Sequence, residues 1–387
     1  MIRRTAMSAS DDGARRSWRV LIAALLSGAA ACSPSENGPP SSAPIGADRV
    51  EAVAMGNALT HNGVSYPEQR LVLPINDLPN PYERVWPWGE LPTGPIDPGD
   101  YEARASFIGI VEGADGTIYA LSRCMGNSCE GRPEAPLMAF DPDGRLLRAW
   151  GERLMNSPHG LGIDREGNLW VADQGGHQVF KFSSDGELLM TLGVAGTAGD
   201  PPTGLTEPTA VAVAPNGAVF VTEGHNNSPD ARVARVSKFA PDGTFIMSWG
   251  RTGPGIGEFS TPHSIAFDSQ GRVFVADRNN NRIQIFDQDG NFLDLWYQFG
   301  RPSGIAISAD DRIYVADSES FDFHNPGWKK GIRIGSARDG TVEYFIEDLE
   351  PTTISHSGAE AVGFDSRGNV YGGVVRRRML ERHVPRI

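Results

Sequence analysis

An all-β, six-bladed propeller is the fold this sequence predicts, and three observations predict it. First, four segments share one pattern: PHGLGIDREGNLWVADQGGHQVFKF from Pro158, PTAVAVAPNGAVFVTEGH from Pro208, PHSIAFDSQGRVFVADRNNNRIQIF from Pro262 and PSGIAISADDRIYVADSES from Pro302. Each is a proline, a short alternating strand, a turn with Gly or Asp, then a β-branched or aromatic strand. Second, weaker copies begin at Ser106 and Ala359, which makes six. Third, several copies run on through a polar Asp-Gly turn to a strand ending at tryptophan, as in Asp143-Gly144 to Trp150, Asp242-Gly243 to Trp249 and Asp289-Gly290 to Trp296. Asp-Gly is a strong hairpin signal because glycine tolerates the positive φ such turns need. Four strands in a repeat of about 45 residues is the pattern of propeller blades.

The elements then follow in order. The last repeat, from Ala359, supplies a third strand near Met379–Val384 and then the chain ends. An orphan Trp-Gly segment, Tyr82 to Gly89, lies ahead of the first repeat and is expected to complete the sixth blade. Closure of this kind leaves no open sheet edge between the first and last blades. Residues 49–387 are assigned to the propeller. Asn325–Gly335 interrupts the fifth repeat, and His324 and Trp328 are candidates to roof the channel, against the alternative of a peripheral loop.

Ahead of the propeller, residues 1–31 read as an export signal. Arg15-Arg16-Ser17-Trp18-Arg19 precedes the apolar run Val20–Leu26 and small residues up to Ala31. That run is too short to span a bilayer permanently. Ala29-Ala30-Ala31-Cys32 resembles a bacterial lipobox, in which Cys32 would carry the lipid, and the paired arginines also permit twin-arginine export. Residues 32–48, rich in Pro, Ser and Gly, read as a tether. The expected location is periplasmic or on the outer membrane as a lipoprotein, with membrane contact through the anchor alone. Cys124 and Cys129 then remain, in one short loop, and in an oxidising compartment they are expected to form a disulfide.

The formal charge is −13, and the first 31 residues carry +3 from five arginines against two aspartates. The body is therefore more acidic than the whole and lacks a basic stripe interleaved with aromatics. Nucleic-acid binding is not expected.

Candidate chemistry comes from registering the repeats. The residue after the leading proline faces the channel, which gives His159, Thr209, His263 and Ser303 in blades two to five. Counting back from Gly368 gives Glu360 in the sixth, and Ser106 or a neighbour in the first. His159, His263 and Glu360 fall on alternate blades and make a plausible ligand set for a divalent metal with open positions. His356 lies just upstream of Glu360 and is the other candidate for third ligand. The competing reading is that the histidines merely line a solvated channel.

These repeats resemble NHL repeats, and the chain across about Phe107–Tyr371 resembles the peptidyl-α-hydroxyglycine α-amidating lyases. The likeness is carried by Pro158-His159-Gly160-Leu161, Asp173, His177-Gln178-Val179-Phe180-Lys181-Phe182, Trp249-Gly250, Pro262-His263-Ser264, Ala276-Asp277-Arg278 and Arg282-Ile283-Gln284. Such lyases are six-bladed propellers whose central zinc is held by three histidines. The resemblance implies zinc, with His159 and His263 as two ligands and Glu360 or His356 as the third. It also implies that Arg123 and Arg278 hold an anionic substrate group, whereas an ion pair between blades is the bland alternative. The family's catalytic tyrosine would sit where this chain has Gly224-His225-Asn226. His225 is therefore the candidate general base, or else a further ligand or substrate-binding group.

The expectation is a metal-dependent lyase acting on a small-molecule or peptide-derived substrate that is hydroxylated and anionic. Two alternatives stand beside it. A lactonase-like hydrolase would use calcium, which prefers oxygen ligands over the two axial histidines. A non-catalytic NHL propeller would bind a protein or cell-wall partner. The sequence is silent on oligomeric state.

Overall fold

The computed structural model of the chain describes residues 53–54, 59–61, 64–66, 70–86, 88–91, 105–225, 233–321, 323–352 and 357–386. The export segment, Cys32, the tether and His356 lie outside the described residues. Among the described residues, no helix is long and apolar enough to cross a membrane.

Six four-stranded antiparallel sheets follow one another along the chain. Blade one is Ala105–Glu112, Ile118–Met125, Leu137–Phe140 and Leu146–Trp150. Blade two is Pro158–Ile163, Leu169–Asp173, Gln178–Phe182 and Leu188–Gly193. Blade three is Pro208–Val213, Val219–Glu223, Arg235–Phe239 and Phe245–Trp249. Blade four is Pro262–Phe267, Val273–Asp277, Arg282–Phe286 and Phe292–Trp296, and blade five is Pro302–Ile307, Arg312–Asp317, Gly331–Ser336 and Val342–Glu347. Blade six takes Ala359–Phe364, Val370–Val374 and Met379–Pro385 from the end of the chain and Tyr82–Val85 as its outermost strand. The closing register pairs Val85 with Arg382 and Tyr82 with Pro385.

One contact repeats at the seams. The tryptophan that ends a fourth strand packs against the Asp-Gly turn of the next blade. A Cβ at Gly186 would lie 3.2 Å from Trp150, one at Gly290 2.9 Å from Trp249, and one at Gly340 2.9 Å from Trp296. Trp88 makes the same contact across the closure: a Cβ at Gly144 of blade one would lie 3.0 Å from its indole nitrogen. Its ring also sits 4.9 Å from Tyr371 of blade six and 5.6 Å from Phe140 of blade one. The core is thus a chain of inter-blade clusters, with Phe220, Phe259 and Phe286 in one and Trp170, Val211 and Val221 in another.

Two devices bring the inner strands to the axis. Gly160 leaves room for its neighbour, since a Cβ there would stand 2.6 Å from Ala210 Cα. The inner strands also carry a register shift at their start, between Pro158 and Gly160, Pro208 and Ala210, Pro262 and Ser264, Pro302 and Gly304, and Ala359 and Ala361. The skipped residue is His159, Thr209, His263, Ser303 or Glu360, and a bulge re-aims that one side chain. In blade one shifts fall both between Ala105 and Phe107 and between Phe107 and Gly109, so Ser106 and Ile108 are both skipped, and of the two it is Ile108 that lines the axial cavity. A cavity of about 70 Å³ on the axis is lined by all six ring residues, Ile108 included.

The insertion in blade five divides in two. His324 stays near the channel mouth, its carbonyl accepting a hydrogen bond from Asn281 Nδ2 at 2.9 Å. Trp328 does not roof the channel: it is buried, with the Arg333 guanidinium 4.7 Å from its ring centre. The cation–π contact draws the indole into the blade.

Candidate metal and anion site

Each ring histidine is placed by an acid in its own blade. Asp173, ending the second strand of blade two, accepts the backbone N–H of Asn156 at 2.9 Å and of Ser157 at 2.6 Å, just before Pro158-His159. Asp277 does the same in blade four for Ser260 N–H at 2.6 Å, just before Pro262-His263, and holds Arg282 Nε at 2.7 Å. The tautomers follow from the next contact. His159 Nδ1 lies 2.8 Å from Thr209 O and His263 Nδ1 lies 2.9 Å from Ser303 O. A carbonyl can only accept, so each Nδ1 carries the proton and each Nε2 presents its lone pair. Both Nε2 atoms are buried and, among the described residues, have no hydrogen-bond partner.

The third imidazole arrives from a different level. Gly224, at φ +102, turns the chain after the second strand of blade three, where a Cβ would come 1.8 Å from Val233 O. Glycine is required there. The residue thrown over the channel is His225. Its ring centre lies 4.6 Å from that of His159 and 5.4 Å from that of His263, and the two ring histidines are 4.4 Å apart. One nitrogen from each of the three falls within 4.8 Å of the others.

Burial first, then the charge of Arg123, holds His159 well below its ordinary 6.5. Burial and then Arg278 do the same for His263 and for His225. Three neutral imidazoles with converging lone pairs suit a borderline-soft divalent cation such as zinc. The carbonyl partners on Nδ1 are the outer contacts that a metal-binding histidine requires. The donor set therefore fits the group.

Arg123 and Arg278 flank this cluster, 6% and 3% exposed. Arg123 donates from Nε to Pro158 O at 3.2 Å, and its Nη1 stands 3.6 Å from Glu360 Oε2. Glu360 holds its ring position on the cavity wall but turns to Arg123; it is not one of the three clustered ligands. Arg278 adjoins Asp277 in sequence, yet that carboxylate is taken by Arg282. Among the described residues, its Nη1 pairs with Glu319 at 3.9 Å and its buried Nε has no hydrogen-bond partner. A buried guanidinium so thinly paired has N–H donors left over that could meet an anion.

Arg301, Glu319 and Asn279 complete the mouth and were not singled out from the sequence. Arg301 holds the turn that carries Arg278, donating to Arg278 O at 3.1 Å and to Asn279 Oδ1 at 2.5 Å. Burial works to raise the Glu319 pKa, but Arg278 and Arg301 outweigh it and hold the carboxyl below its usual range. A second registration would have found Asn279 and Glu319, though not Arg301. Aligning the repeats on the second-strand residue paired with the one just ahead of the ring position, which is Ser122, Asp173, Glu223, Asp277 or Asp317, puts Arg123 and Arg278 one place beyond it, and His225, Asn279 and Glu319 two places beyond.

Comparison with known proteins follows the same lines. Residues 155–182, 259–286 and 299–321 match the NHL repeat. The chain is an NHL-repeat propeller. It is 36% identical over 239 residues to a probable peptidyl-α-hydroxyglycine α-amidating lyase of Caenorhabditis elegans, covering 54% of this chain and 66% of that protein. It is 38% identical over 204 residues to peptidyl-glycine α-amidating monooxygenase B of Xenopus laevis, covering 48% of this chain and 23% of that protein. The NHL propeller thus resembles the lyase domain while spanning about a quarter of the whole monooxygenase. Among solved structures, a gluconolactonase from Xanthomonas campestris superposes with a TM-score of 0.53 at 15% identity, over 73% of this chain and 87% of the other. That likeness concerns the propeller fold alone.

Proposed function

We propose that the chain is a divalent-metal lyase that cleaves N-acyl-α-hydroxyglycine-type substrates outside the cytoplasm, anchored by lipid on Cys32. The observation that carries the reading is the pair of buried, unpartnered Nε2 atoms on His159 and His263, joined by His225 and flanked by two thinly paired arginines. His159, His263 and His225 would hold the metal, zinc by donor chemistry. When bound, it supplies a Lewis acid for a substrate oxygen.

The chain's own residues supply the rest. Arg278 and Arg123 take the substrate carboxylate, which displaces Glu360 from its 3.6 Å contact with Arg123. Glu360, buried and on the cavity wall, then carries the hydroxyl proton toward the departing amide nitrogen. The C–N bond breaks, its electron pair leaves with nitrogen, and the products are an amide and glyoxylate. His225, standing at the position of the family's tyrosine, ligates in this reading and does not act as base.

The test is glyoxylate release from an N-acyl-α-hydroxyglycine by the zinc-loaded full chain. Release above the spontaneous rate is expected, and R278A should lower kcat/KM by about 100-fold, the scale for losing one preorganised charge contact. No release above background, with zinc bound stoichiometrically, would sink the reading. Calcium in place of zinc on elemental analysis would favour a lactonase-like hydrolase instead.

A further inference from the structure

Blades two to five each close the turn after their second strand with a buried acid: Asp173, Glu223, Asp277 and Asp317. Blade one has Ser122 at that place, and its hydroxyl is used locally, accepting Cys124 N–H at 3.0 Å. Yet Arg123, the next residue, is as buried as Arg278 and must be aimed as closely. Its own contacts are long: 3.2 Å to Pro158 O, 3.4 Å from Nη1 to Asn127 Oδ1 and 3.6 Å to Glu360. Pairing with the third strand stops at Leu121, apart from one bond from Ser122 N–H to Pro136 O. Cys124 then sits at φ +51, a left-handed conformation that a non-glycine residue keeps only where its surroundings enforce it.

What encloses it is the Cys124–Cys129 disulfide, five residues in separation, with both cysteines buried. The far end of that loop is fastened to the turn leading into His159. Cys129 N–H donates to Asn156 O at 2.9 Å, and Ser128 Oγ donates to the same oxygen at 3.3 Å. Asn127, inside the loop, is the side-chain acceptor that meets Arg123.

We infer that the Cys124–Cys129 loop, with Asn127, is a positioning device for Arg123 that replaces the acid clamp of the other blades. Opening the bridge therefore frees this arginine while His159 and His263, held by Asp173 and Asp277, stay in place. Anion binding at the site becomes dependent on an oxidised loop. That consequence rests on the function proposed above; the holding of Arg123 does not, and the experiment reads the holding directly.

Arginine modification by phenylglyoxal on the purified full chain, mapped by peptide mass spectrometry, is the measurement. In C124S/C129S the modification rate at Arg123 is expected to rise about fivefold or more, since local opening controls the reactivity of a buried group. Arg278, equally buried but in blade four, should keep its rate. N127A, with the bridge intact, should move Arg123 in the same direction by less. An unchanged Arg123 in both variants overturns the inference, and so does an equal rise at Arg278, which would report general loosening. Should the double serine variant fail to fold, N127A alone decides, with an unchanged Arg123 counting against.

Discussion

Three imidazoles at one point impose a pH signature on the apoprotein. Their folded-state pKa values lie well below 6.5, with burial the largest cause in each. Between those depressed values and the unfolded value the unfolded chain binds more protons. Stability is therefore full above about pH 6.5 and is lost as pH falls below it. The melting temperature of chelator-treated protein should drop from pH 7 to pH 5 by more than that of an H159N/H225N/H263N variant, which has no such groups to protonate. Equal slopes would show that the imidazoles do not carry the effect. His159 and His263 were legible as ring residues because both follow the repeat's proline. His225 was legible only as a polar residue standing where the related lyases carry a tyrosine. Its convergence with the other two depends on the turn at Gly224, which no periodicity reports.

At the level of elements, the acid ending the second strand in blades two to five holds the turn that leads into the ring residue. Asp277 is fully buried with Arg282, and each is the other's charge partner at 2.7 Å. D277A leaves that guanidinium buried and unpaired and removes the acceptor for Ser260 N–H, at a cost of about 3–5 kcal/mol. Urea unfolding should report that loss, and zinc affinity should fall with it because His263 hangs from the same turn. A variant with unaltered stability would remove the acid from the positioning account. The strand pattern was readable because alternation and Asp-Gly turns are local signals. The insertion in blade five was not. Whether Trp328 faces the channel or the blade depends on Arg333, which packs over its ring from a strand that begins three residues further on.

For the molecule as a whole, closure is the weak seam, because it joins strands almost 300 residues apart in sequence. Trp88 fills that seam between Tyr371 and Phe140, and Glu90 N–H donates to Gly144 O at 2.7 Å across it. W88A should cost about 3–5 kcal/mol, the usual range for emptying a buried aromatic site. Deletion of residues 80–90 should abolish the single cooperative melt expected of the full chain, with circular dichroism as the readout, since it unpairs the outer edge of Met379–Pro385. Retention of one sharp transition in the deletion would show that the ring does not depend on this strand.

The number of blades, their strand order and the N-terminal closing strand were all written in the repeats, because strand alternation, turn glycines and seam tryptophans act between near neighbours. Which polar groups meet on the axis was decided only by the assembled ring. Glu360 occupies the predicted ring position yet turns to Arg123, and His225 reaches in from a loop above. Side-chain direction at a bulge or after a left-handed turn is set by what stands across the channel, and in a propeller those groups come from distant parts of the chain.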